Sequence, residues 1–435
     1  MADRVGDFEY RKLDSGTEFF IRPTSRFKTR SIRLVHSRKL SEEAGRRSLF
    51  PSILRRGCVR WPSMLAISRR LEELYGANFN SDVTRFGEEQ LSLWVLDFTE
   101  EKFLPGSGAL QGDALELLDA ILNDPELEDG GFRRDFFDQE RENQLRYVQS
   151  IINDKMSYAG LRAAQVMFAG EPYAFHEWGT EDELGQADRR DVFRIYREVL
   201  DDASREVYVV GDVDPDAFVE EWSGKVRESF RPMWDGSSGS GARVRATSGH
   251  PESVIEEREV QQAKLVMGFR LERNVLEELP TSVDRNLVLS IMNILLGGGM
   301  HSKLFKEVRE KQSLAYYASS AVDRYIGAAF ITCGIASQDF EKTRDLSVAQ
   351  IDAIARGNFT DDEFDASVRA AIHRLRTVND SAAEQIGFLM AGRRLGRILT
   401  PLECLEQVNA ISREDVATAA RSLRWDMTYL LREPS

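Results

Sequence analysis

The feature that most constrains the fold is a helix-start motif that occurs twice, 224 residues apart. RRDVFRIYREVL begins at Arg189 and REDVATAARSLR begins at Arg413, and both fit R-x-D-V-x-x-x-x-R. Each is followed by a short segment typical of a strand, EVYVVGD in one case and MTYLLRE in the other. An acidic residue is common near a helix start, so a single match would mean little. Two matches with the same ending predict an internal duplication.

A Gly/Ser-rich stretch lies between the two copies and has the composition of a flexible connector. It reads WDGSSGSGARVRATSGHPE and covers residues 234–252. The chain of 435 residues is too long for one ordinary hydrophobic core. We therefore predict an N-terminal half over residues 1–233, a linker over 234–252 and a C-terminal half over 253–435.

Within each half, apolar spacing predicts strands, then helices, then strands again. ALELLDAILND and DRNLVLSIMNILL repeat apolar residues at helical spacing, whereas AAFITCGIA is typical of a strand. Because a regular β-α-β-α alternation is absent, a parallel doubly wound sheet is not favoured. The pattern predicts an α+β fold of two similar halves, each a largely antiparallel sheet backed by helices.

Composition argues against several classes of partner and binding site. The net charge is −14, which argues against a general nucleic-acid binder and against an anionic membrane surface as partner. The three cysteines, Cys58, Cys333 and Cys404, are far apart and form no C-x-x-C pair, so neither a disulfide framework nor a thiolate zinc site is expected. No signal-peptide pattern and no run of about 18 apolar residues occurs, so we expect no transmembrane helix and a cytoplasmic protein.

The segment GGGMHSKLFKEVREKQSLAYY, residues 297–317, raises the question of phosphate binding. A Walker loop needs Gly-Lys-Ser/Thr, but Lys303 follows Ser302. A dinucleotide fingerprint would need a glycine at Ser302. A phosphate- or nucleotide-dependent enzyme therefore fits poorly, although it stays an alternative. We expect Gly297, Gly298 and Gly299 to end the preceding helix and to allow close approach of another backbone.

The residues after the glycines predict a short helix that carries two candidate binding groups. Ser302 is placed to cap KLFKEVREK, with Arg309 near its C-terminus and Tyr316 at the start of the next strand. A short reversal would bring the guanidinium and the phenol to one side, where both donate to a carbonyl, a carboxylate or an oxyanion. The alternative interpretation is a helix-terminal Arg beside a half-buried structural Tyr.

LLGGGMHSKLFKEVREKQSLAYY resembles the signature of the second half of pitrilysin/insulysin-type metallopeptidases, the inverted-zinc-motif family. The resemblance extends over nearly the whole chain, through GTEDEL, the R-x-D-V repeats, VVGDVD and the linker. FLPGSGALQGDALELL and the long run from NDKMSYAG to FHEWGTE are similar to the bacterial YmfF-like group. The family implies two α+β halves per subunit and two units that close around a peptide. It also implies that Arg309 and Tyr316 contact the substrate and stabilise the reacting carbonyl.

The family's zinc motif, H-x-x-E-H, is missing from this chain. Aligning the family's Phe-Lys-Gly ending on residues 54–57 places the motif on SLFPS, so Ser48 and Ser52 replace the histidines and Pro51 replaces the glutamate. A serine hydroxyl is a poor zinc ligand and proline supplies neither ligand nor base. The family's downstream glutamate ligand is expected near Tyr147. We therefore expect this chain to bind no metal or cofactor of its own.

Other residues offer no obvious replacement site. None of the five histidines has a second histidine three or four residues away, and His176 only adjoins Glu177. No G-x-S-x-G elbow or recognisable nucleophilic cysteine occurs. A rearranged metal site stays open as an alternative at this point.

Loss of the metal ligands with retention of the Arg/Tyr segment resembles the non-catalytic subunit of two-chain family members. The resemblance implies a homologous partner subunit that carries H-x-x-E-H and the zinc, while this chain binds peptide and completes a closed chamber. It would then be no enzyme alone but part of a metallopeptidase heterodimer. The alternative is a purely structural subunit of a larger complex. The sequence identifies neither the substrate nor the partner, and leaves a homodimer open.

Overall fold

The computed structural model describes residues 3–105, 109–202, 204–227 and 251–434. The strands within these ranges are Arg4–Val5 (β1), Phe8–Lys12 (β2), Glu18–Pro23 (β3), Thr29–Lys39 (β4), Asn78–Phe86 (β5), Glu89–Thr99 (β6), Leu127–Glu128 (β7), Gly131–Phe132 (β8), Ser204–Gly211 (β9), Glu252–Glu257 (β10), Ala263–Leu271 (β11), Ala315–Asp323 (β12), Ala328–Ile335 (β13) and Leu423–Arg432 (β14).

Along the chain, groups of α-helices lie between groups of these strands. They are Ala44–Leu54 (α1), Met64–Glu73 (α2), Leu110–Asn123 (α3), Arg134–Ser150 (α4), Lys155–Met167 (α5), Glu181–Gly185 (α6), Arg189–Asp202 (α7), Pro215–Lys225 (α8), Arg273–Leu276 (α9), Arg285–Gly297 (α10), Phe340–Ala355 (α11), Asp361–Thr377 (α12), Ala382–Arg394 (α13), Pro401–Ala410 (α14) and Arg413–Arg421 (α15). Both R-x-D-V motifs begin helices, α7 and α15, and each helix is followed by a strand, as predicted. Among the described residues, no helix is long and apolar enough to cross a bilayer.

The two main sheets share one strand arrangement. The first has the order β1-β2-β3-β9-β4-β6-β5 and the second has the order β10-β14-β11-β13-β12. In the first sheet β3 and β9 are parallel and the other neighbours are antiparallel; in the second, only β10 and β14 are parallel. The predicted α+β class with two similar, largely antiparallel halves is confirmed.

The chain folds into two compact units that exchange segments. The first unit comprises the described parts of residues 1–149, 175–239 and 379–398, and the second comprises those of 150–174, 240–378 and 399–435. Helix α5 therefore belongs to the second unit, although it precedes the linker, and α13 belongs to the first. Most of the predicted linker, residues 234–250, lies outside the described residues. The division into 1–233 and 253–435 stays a prediction.

In the first unit both faces of the sheet are packed. Phe19, Leu34 and Trp94 on one face contact the apolar sides of helices that include α1, α3, α7 and α8. On the other face Phe20 and Tyr208 contact apolar residues of α13. Successive side chains of a strand point to opposite faces, so neighbouring phenylalanines serve the two cores.

In the second unit α5 covers part of one face of the sheet. Its small residues Ala159 and Ala163 pack with Val266 and Tyr429 of β11 and β14. The helices α10, α11 and α15 contact β12, β13 and β14. This packing holds the segment between α10 and β12, where the candidate binding residues lie.

Candidate functional site

Helix α10 ends at Gly297, where the chain passes very close to strand β12. A Cβ atom at Gly297 would lie 2.4 Å from the backbone nitrogen of Ser320 and 2.9 Å from a methyl carbon of Leu304. Real Cβ atoms do not approach a backbone this closely, so a side chain would force the helix away. At Gly299, by contrast, a Cβ would meet nothing within 4 Å. The expected helix end and close backbone approach are therefore observed at Gly297.

The segment after the glycines forms a π-helix over Phe305–Lys311, not the regular α-helix that the sequence pattern predicted. Ser302 caps it as expected, its Oγ accepting from the Phe305 nitrogen at 3.4 Å. Just after the π-helix, the chain turns back, and the nitrogen of Leu314 donates to the carbonyl of Val308 at 3.0 Å. Ser313, with φ of 51°, provides the left-handed turn. Such wide turns occur frequently at functional sites.

Arg309 projects from this π-helix into solvent. Its guanidinium lies 4.8 Å from the centre of the Phe305 ring. The lysines of the segment are all paired: Lys303 and Lys306 with Glu363, and Lys311 with Glu307. Within the described part of the chain, no carboxylate lies within 4 Å of the Arg309 guanidinium. Its hydrogen-bond donors are therefore available to a ligand.

Tyr316 is the extra residue of a β-bulge. Ala315 pairs with Ile335 and Tyr317 pairs with Gly334, so Tyr316 has no opposite residue in β13. Its side chain is 71% exposed. Bulges commonly redirect a side chain near functional sites. The alternative interpretation of a half-buried structural tyrosine therefore does not describe Tyr316.

The adjacent tyrosine has the structural role instead. Tyr317 turns toward its own unit, where its hydroxyl contacts the sulfur of Met156 at 2.8 Å. Burial raises the pKa of Tyr317 to about 12. Of the two neighbouring tyrosines, only Tyr316 exposes its side chain to solvent. Tyr316 lies at the end of β12 that follows the turn from Val308 to Leu314.

The three serine and proline positions of the degenerate metal motif lie on α1 in the first unit. Ser48 is fully buried, and its hydroxyl donates to the carbonyl of Gly45 at 2.8 Å. Pro51 lies inside the helix, and its carbonyl accepts from the Ser81 hydroxyl of β5 at 3.0 Å. Ser52 is half-buried. The structure brings these positions together on one helix.

Gln144 on α4 is the residue that sequence reasoning missed. Its side-chain nitrogen donates to the Ser48 hydroxyl at 2.5 Å, to the Gly45 carbonyl at 3.1 Å and to the Trp178 carbonyl at 2.9 Å. The sequence placed the downstream ligand position near Tyr147, which lies one helical turn later. The ring of Tyr147 is half-exposed and contacts the Trp178 ring at 5.5 Å. Helical spacing places Gln144 on the same side of α4 as Tyr147, but it does not show that Gln144 bonds to Ser48.

These residues do not fit a zinc ion. Zinc in proteins takes thiolate, imidazole or carboxylate ligands. The Ser48 hydroxyl and the Gln144 amide instead satisfy each other and the Gly45 carbonyl. Within the described residues, no group of three or more His, Cys, Asp or Glu side chains is placed to hold a metal ion. The family's zinc chemistry therefore has no counterpart at α1.

Of the histidines that the structure describes, the two most buried have structural surroundings. The backbone nitrogen of Trp178 donates to Nδ1 of His176 at 3.3 Å, and burial lowers the pKa of His176, although the Glu177 carboxylate opposes this. Burial also lowers the pKa of His36 well below its ordinary value, and the charge of Arg205 lowers it further. Both imidazoles lie in the first unit and are held mostly neutral.

Comparison with known sequences finds that this chain is similar to proteins related to peptidases. The family description "Peptidase M16 inactive domain" matches residues 186–371. The chain is 28% identical over 430 residues to the probable inactive metalloprotease YmfF of Bacillus subtilis, a match that covers 98% of this chain and 97% of that protein. The similarity thus runs through both halves.

Solved structures show the same fold. A conserved protein from Enterococcus faecalis matches with a TM-score of 0.89 at 23% identity, covering 98% of this chain and 99% of the other. A peptidase M16 inactive domain from Pseudomonas fluorescens matches with a TM-score of 0.78 at 18% identity, covering 98% of both chains. The resemblance that the sequence motifs indicated is confirmed: this chain is similar in sequence and fold to peptidase M16 proteins that are described as inactive.

Proposed function

We propose that this chain is the non-catalytic, substrate-binding subunit of a zinc peptidase heterodimer. Its partner is a homologous subunit that carries H-x-x-E-H and the zinc ion. This chain contributes Arg309 and Tyr316 to a closed chamber that holds a peptide, beside the turn at Gly297–Gly299. The peptide carbonyl accepts from the guanidinium and the phenol, and the metal and base come from the partner.

One contrast within the molecule carries the proposal. On α1 the Ser48 hydroxyl is bonded to Gln144 and to the Gly45 carbonyl, and the Pro51 side chain has no atom that binds a metal. At the end of α10 the opposite holds, because Arg309 has no carboxylate partner in the described residues and Tyr316 is 71% exposed. The zinc-binding function is lost while the carbonyl-binding pair is kept. That combination favours a subunit that binds peptide for another chain.

The test is reconstitution with an H-x-x-E-H chain, sought first in the neighbouring reading frame. Arg309→Ala is expected to lower the turnover of a quenched fluorescent peptide by about a hundredfold, and Tyr316→Phe by about tenfold, because each removes a donor to the reacting carbonyl. Arg356→Ala is the matched control, since this arginine forms an exposed pair with Asp352 and follows the last residue of α11. It should leave turnover unchanged.

Two outcomes would contradict the proposal. Unchanged turnover in both variants would point to the alternative, a scaffolding subunit with no part in cleavage. Stoichiometric zinc in this chain purified alone, together with peptide cleavage that a chelator abolishes, would make it a catalytic subunit. Zinc content is measured by atomic absorption on the same samples.

A further inference from the structure

The π-helix that presents Arg309 needs support from other parts of the second unit. π-Helical turns are rare in proteins and usually extend for a single turn. The guanidinium of Arg309 lies 4.8 Å from the Phe305 ring, but this ring belongs to the same helix, so the contact cannot fix the position of the helix. The direction in which Arg309 points therefore depends on what holds the backbone of residues 303–311.

One side of this segment is held by apolar burial. The side chains of Leu304 and Val308 are fully buried, and the π-helix contacts β12 and α11. Apolar burial is not directional, so it holds the segment against the unit but does not by itself fix how the segment is turned. A second attachment with a defined direction is needed for that.

The second attachment is a carboxylate on α12. Oε2 of Glu363 lies 3.1 Å from Nζ of Lys303, and Oε1 lies 3.4 Å from Nζ of Lys306. The side chains of Lys303 and Glu363 are only 12% and 10% exposed. Pairs that are mostly shielded from water are screened much less by salt than exposed pairs. Glu363 therefore holds the segment at two points from a neighbouring helix.

The other ion pair of the segment cannot act in this way. Lys311 pairs with Glu307 at 2.7 Å, but both residues lie on the π-helix itself, and the Lys311 side chain is 64% exposed. Across the part of the chain that the structure describes, Glu363 is the one carboxylate outside the segment that lies within 4 Å of its cationic groups.

Glu363 is itself held in place by the capping box at the start of α12. Its Oε2 accepts from the Thr360 nitrogen at 3.0 Å, and its own nitrogen donates to the Thr360 hydroxyl at 3.2 Å. Burial raises the pKa of Glu363, but the bond from Thr360 and the charges of Lys303 and Lys306 outweigh burial and hold that pKa below its ordinary value. The carboxylate is therefore ionised near neutral pH and has a fixed orientation.

We propose that Glu363 is a positioning residue for the peptide-binding pair: through Lys303 and Lys306 it fixes the π-helix, and so it fixes the direction in which Arg309 meets the peptide carbonyl. This inference rests on the proposed function, because Arg309 is the group that contacts the substrate there. Glu363 acts through that arginine and not on the peptide. Its effect can be large, since misplacing a donor by about 1 Å can cost about a hundredfold in rate.

The first test uses the full chain without a partner. Glu363→Gln keeps the size of the side chain and removes its charge. We expect amide hydrogen exchange in residues 303–314 to rise at least about tenfold, because the bond from the Leu314 nitrogen to the Val308 carbonyl opens more often once the segment is released. Unchanged exchange would overturn the proposal.

Glu403→Gln is the matched control, because it alters the same kind of capping box on another helix. The Thr400 nitrogen donates to Oε2 of Glu403 at 2.7 Å, and Glu403 is exposed at the start of α14. This variant should leave exchange in residues 303–314 unchanged. An equal rise in the control would show that loss of a helix cap alone has the effect, and it would refute the positioning role.

The second test is a double-mutant cycle in the reconstituted pair. Glu363→Gln is expected to lower kcat/KM for the quenched fluorescent peptide by about tenfold when Arg309 is present. In the Arg309→Ala background the same change should lower kcat/KM by less than about twofold, since the group that Glu363 positions is gone. An equal loss in both backgrounds would mean that Glu363 supports the fold in general, and it would overturn the proposal.

Lys303→Met is a second variant that leaves the capping box of Glu363 intact. It removes one bond to the same carboxylate, so it should raise exchange in residues 303–314 and lower kcat/KM in the same direction as Glu363→Gln. Circular dichroism and the melting temperature show whether each variant folds. If Glu363→Gln does not fold, Lys303→Met decides by the same two measurements.

Failure of this proposal differs from failure of the proposed function. Loss of turnover in Arg309→Ala and Tyr316→Phe, combined with full turnover and unchanged exchange in Glu363→Gln, would keep the heterodimer function and refute positioning by Glu363. Raised exchange in Glu363→Gln, combined with unchanged turnover in Arg309→Ala, would keep the attachment of the π-helix and refute its role in cleavage.

Discussion

The sheets of the two units share five strands in order and direction, and the units differ in what anchors their exchanged helices. Strands β3, β9, β4, β6 and β5 of the first unit correspond in order and direction to β10, β14, β11, β13 and β12 of the second. Helices α5 and α13 occupy equivalent places in the two halves of the sequence, and each packs on the sheet of the other half's unit. The exchange is therefore reciprocal.

In the first unit the anchor of α13 is a buried ion network. Arg394 contacts Glu206 at 3.1 Å and Glu89 at 3.3 Å, and Arg393 contacts Glu18 at 2.9 Å. Burial alone would raise the pKa of Glu206, but the guanidinium groups of Arg394 and Arg393 outweigh it and hold that pKa below its ordinary value. The carboxylate is ionised because the helix is docked.

In the second unit the anchor of α5 is more accessible to water. Glu256 of β10 accepts from the hydroxyl of Tyr158 at 2.7 Å and from Nε of Arg162 at 3.2 Å, both on α5, and from the hydroxyl of Tyr429 at 2.7 Å. The side chain of Arg162 is 41% exposed. The two halves thus share the position of this helix but not the interactions that anchor it. The two anchors should therefore respond differently to substitution.

The largest expected effect is that of Arg394→Met. It leaves Glu206 and Glu89 buried without their shared cation, which costs about 3–5 kcal/mol in comparable buried pairs. We expect the free energy of unfolding of the first unit to fall by that amount, measured by urea denaturation. Hydrogen exchange should rise in β9 and α13 while β14 stays protected, because only the first unit loses its anchor.

The control for this substitution is Arg356→Met. This arginine pairs with Asp352 at 3.3 Å, and the side chains are 68% and 54% exposed. Exposed pairs of this kind contribute at most about 1 kcal/mol. Similar losses in the two variants would show that burial of the α13 anchor has no special energetic role.

A second prediction concerns the close approach that the second unit makes between α10 and β12. Gly297→Ala places a methyl group 2.4 Å from the Ser320 nitrogen, which backbone atoms cannot yield easily. We expect a loss of about 1–3 kcal/mol, as in other overpacked cores. The strain would also displace the turn that leads to Arg309, so peptide affinity should fall in the same variant.

Gly299→Ala is the matched change two residues later, where the new methyl group meets nothing within 4 Å. It should leave the melting temperature within about a degree and leave peptide affinity unchanged. If Gly297→Ala is equally harmless, the packing of α10 against β12 does not determine the position of the binding pair.

Much of this comparison could be predicted from the sequence. The paired R-x-D-V helices with their following strands, and the alternating apolar segments, are local patterns, and α7, β9, α15 and β14 lie where those patterns placed them. The glycines predicted the helix end because the lack of a side chain is itself the local signal.

The rest depends on contacts that no local pattern encodes. The apolar side of α5 or α13 shows that the helix packs on something, but not which of two similar sheets receives it. Gln144 lies 96 residues after Ser48, so only the packing of α4 against α1 reveals the pair. The spacing of KLFKEVREK predicted an α-helix, and no pattern in it indicated the π-helix at Arg309 or the bond from the Leu314 nitrogen to the Val308 carbonyl. The sequence could therefore suggest the binding pair but not the geometry that exposes it.

The smallest expected effect is a difference in pH response between the units. In the first unit His36 is fully buried and its pKa lies well below the ordinary value of 6.5, because burial disfavours the charged imidazole and Arg205 repels it. The unfolded chain therefore takes up a proton as the pH falls below about 6.5, while the folded unit does not. Stability from this group is present above that pH and declines below it.

In the second unit the anchor at Glu256 loses its stabilising contribution only at a much lower pH. Glu256 has its pKa lowered to about 2: burial raises it, but the hydrogen bonds from Tyr158, Tyr429, Arg258 and Arg162 outweigh burial. Its stabilising contribution is present above the ordinary carboxyl pKa of about 4.5 and is lost only as the pH falls toward 2. Between pH 7 and 5.5 this anchor should not change.

Lowering the pH from 7 to 5.5 should therefore weaken the first unit by about 1 kcal/mol through His36, since one pH unit corresponds to about 1.4 kcal/mol per proton. Hydrogen exchange at both pH values, corrected for the intrinsic rate, measures this as lower protection in β4 and β9 and unchanged protection in β10 and β14. His36→Leu removes the titrating group and should reduce the pH response of the first unit. A response that is the same in His36→Leu, or equal in both units, would assign the pH dependence to other groups and leave the two units alike in this respect.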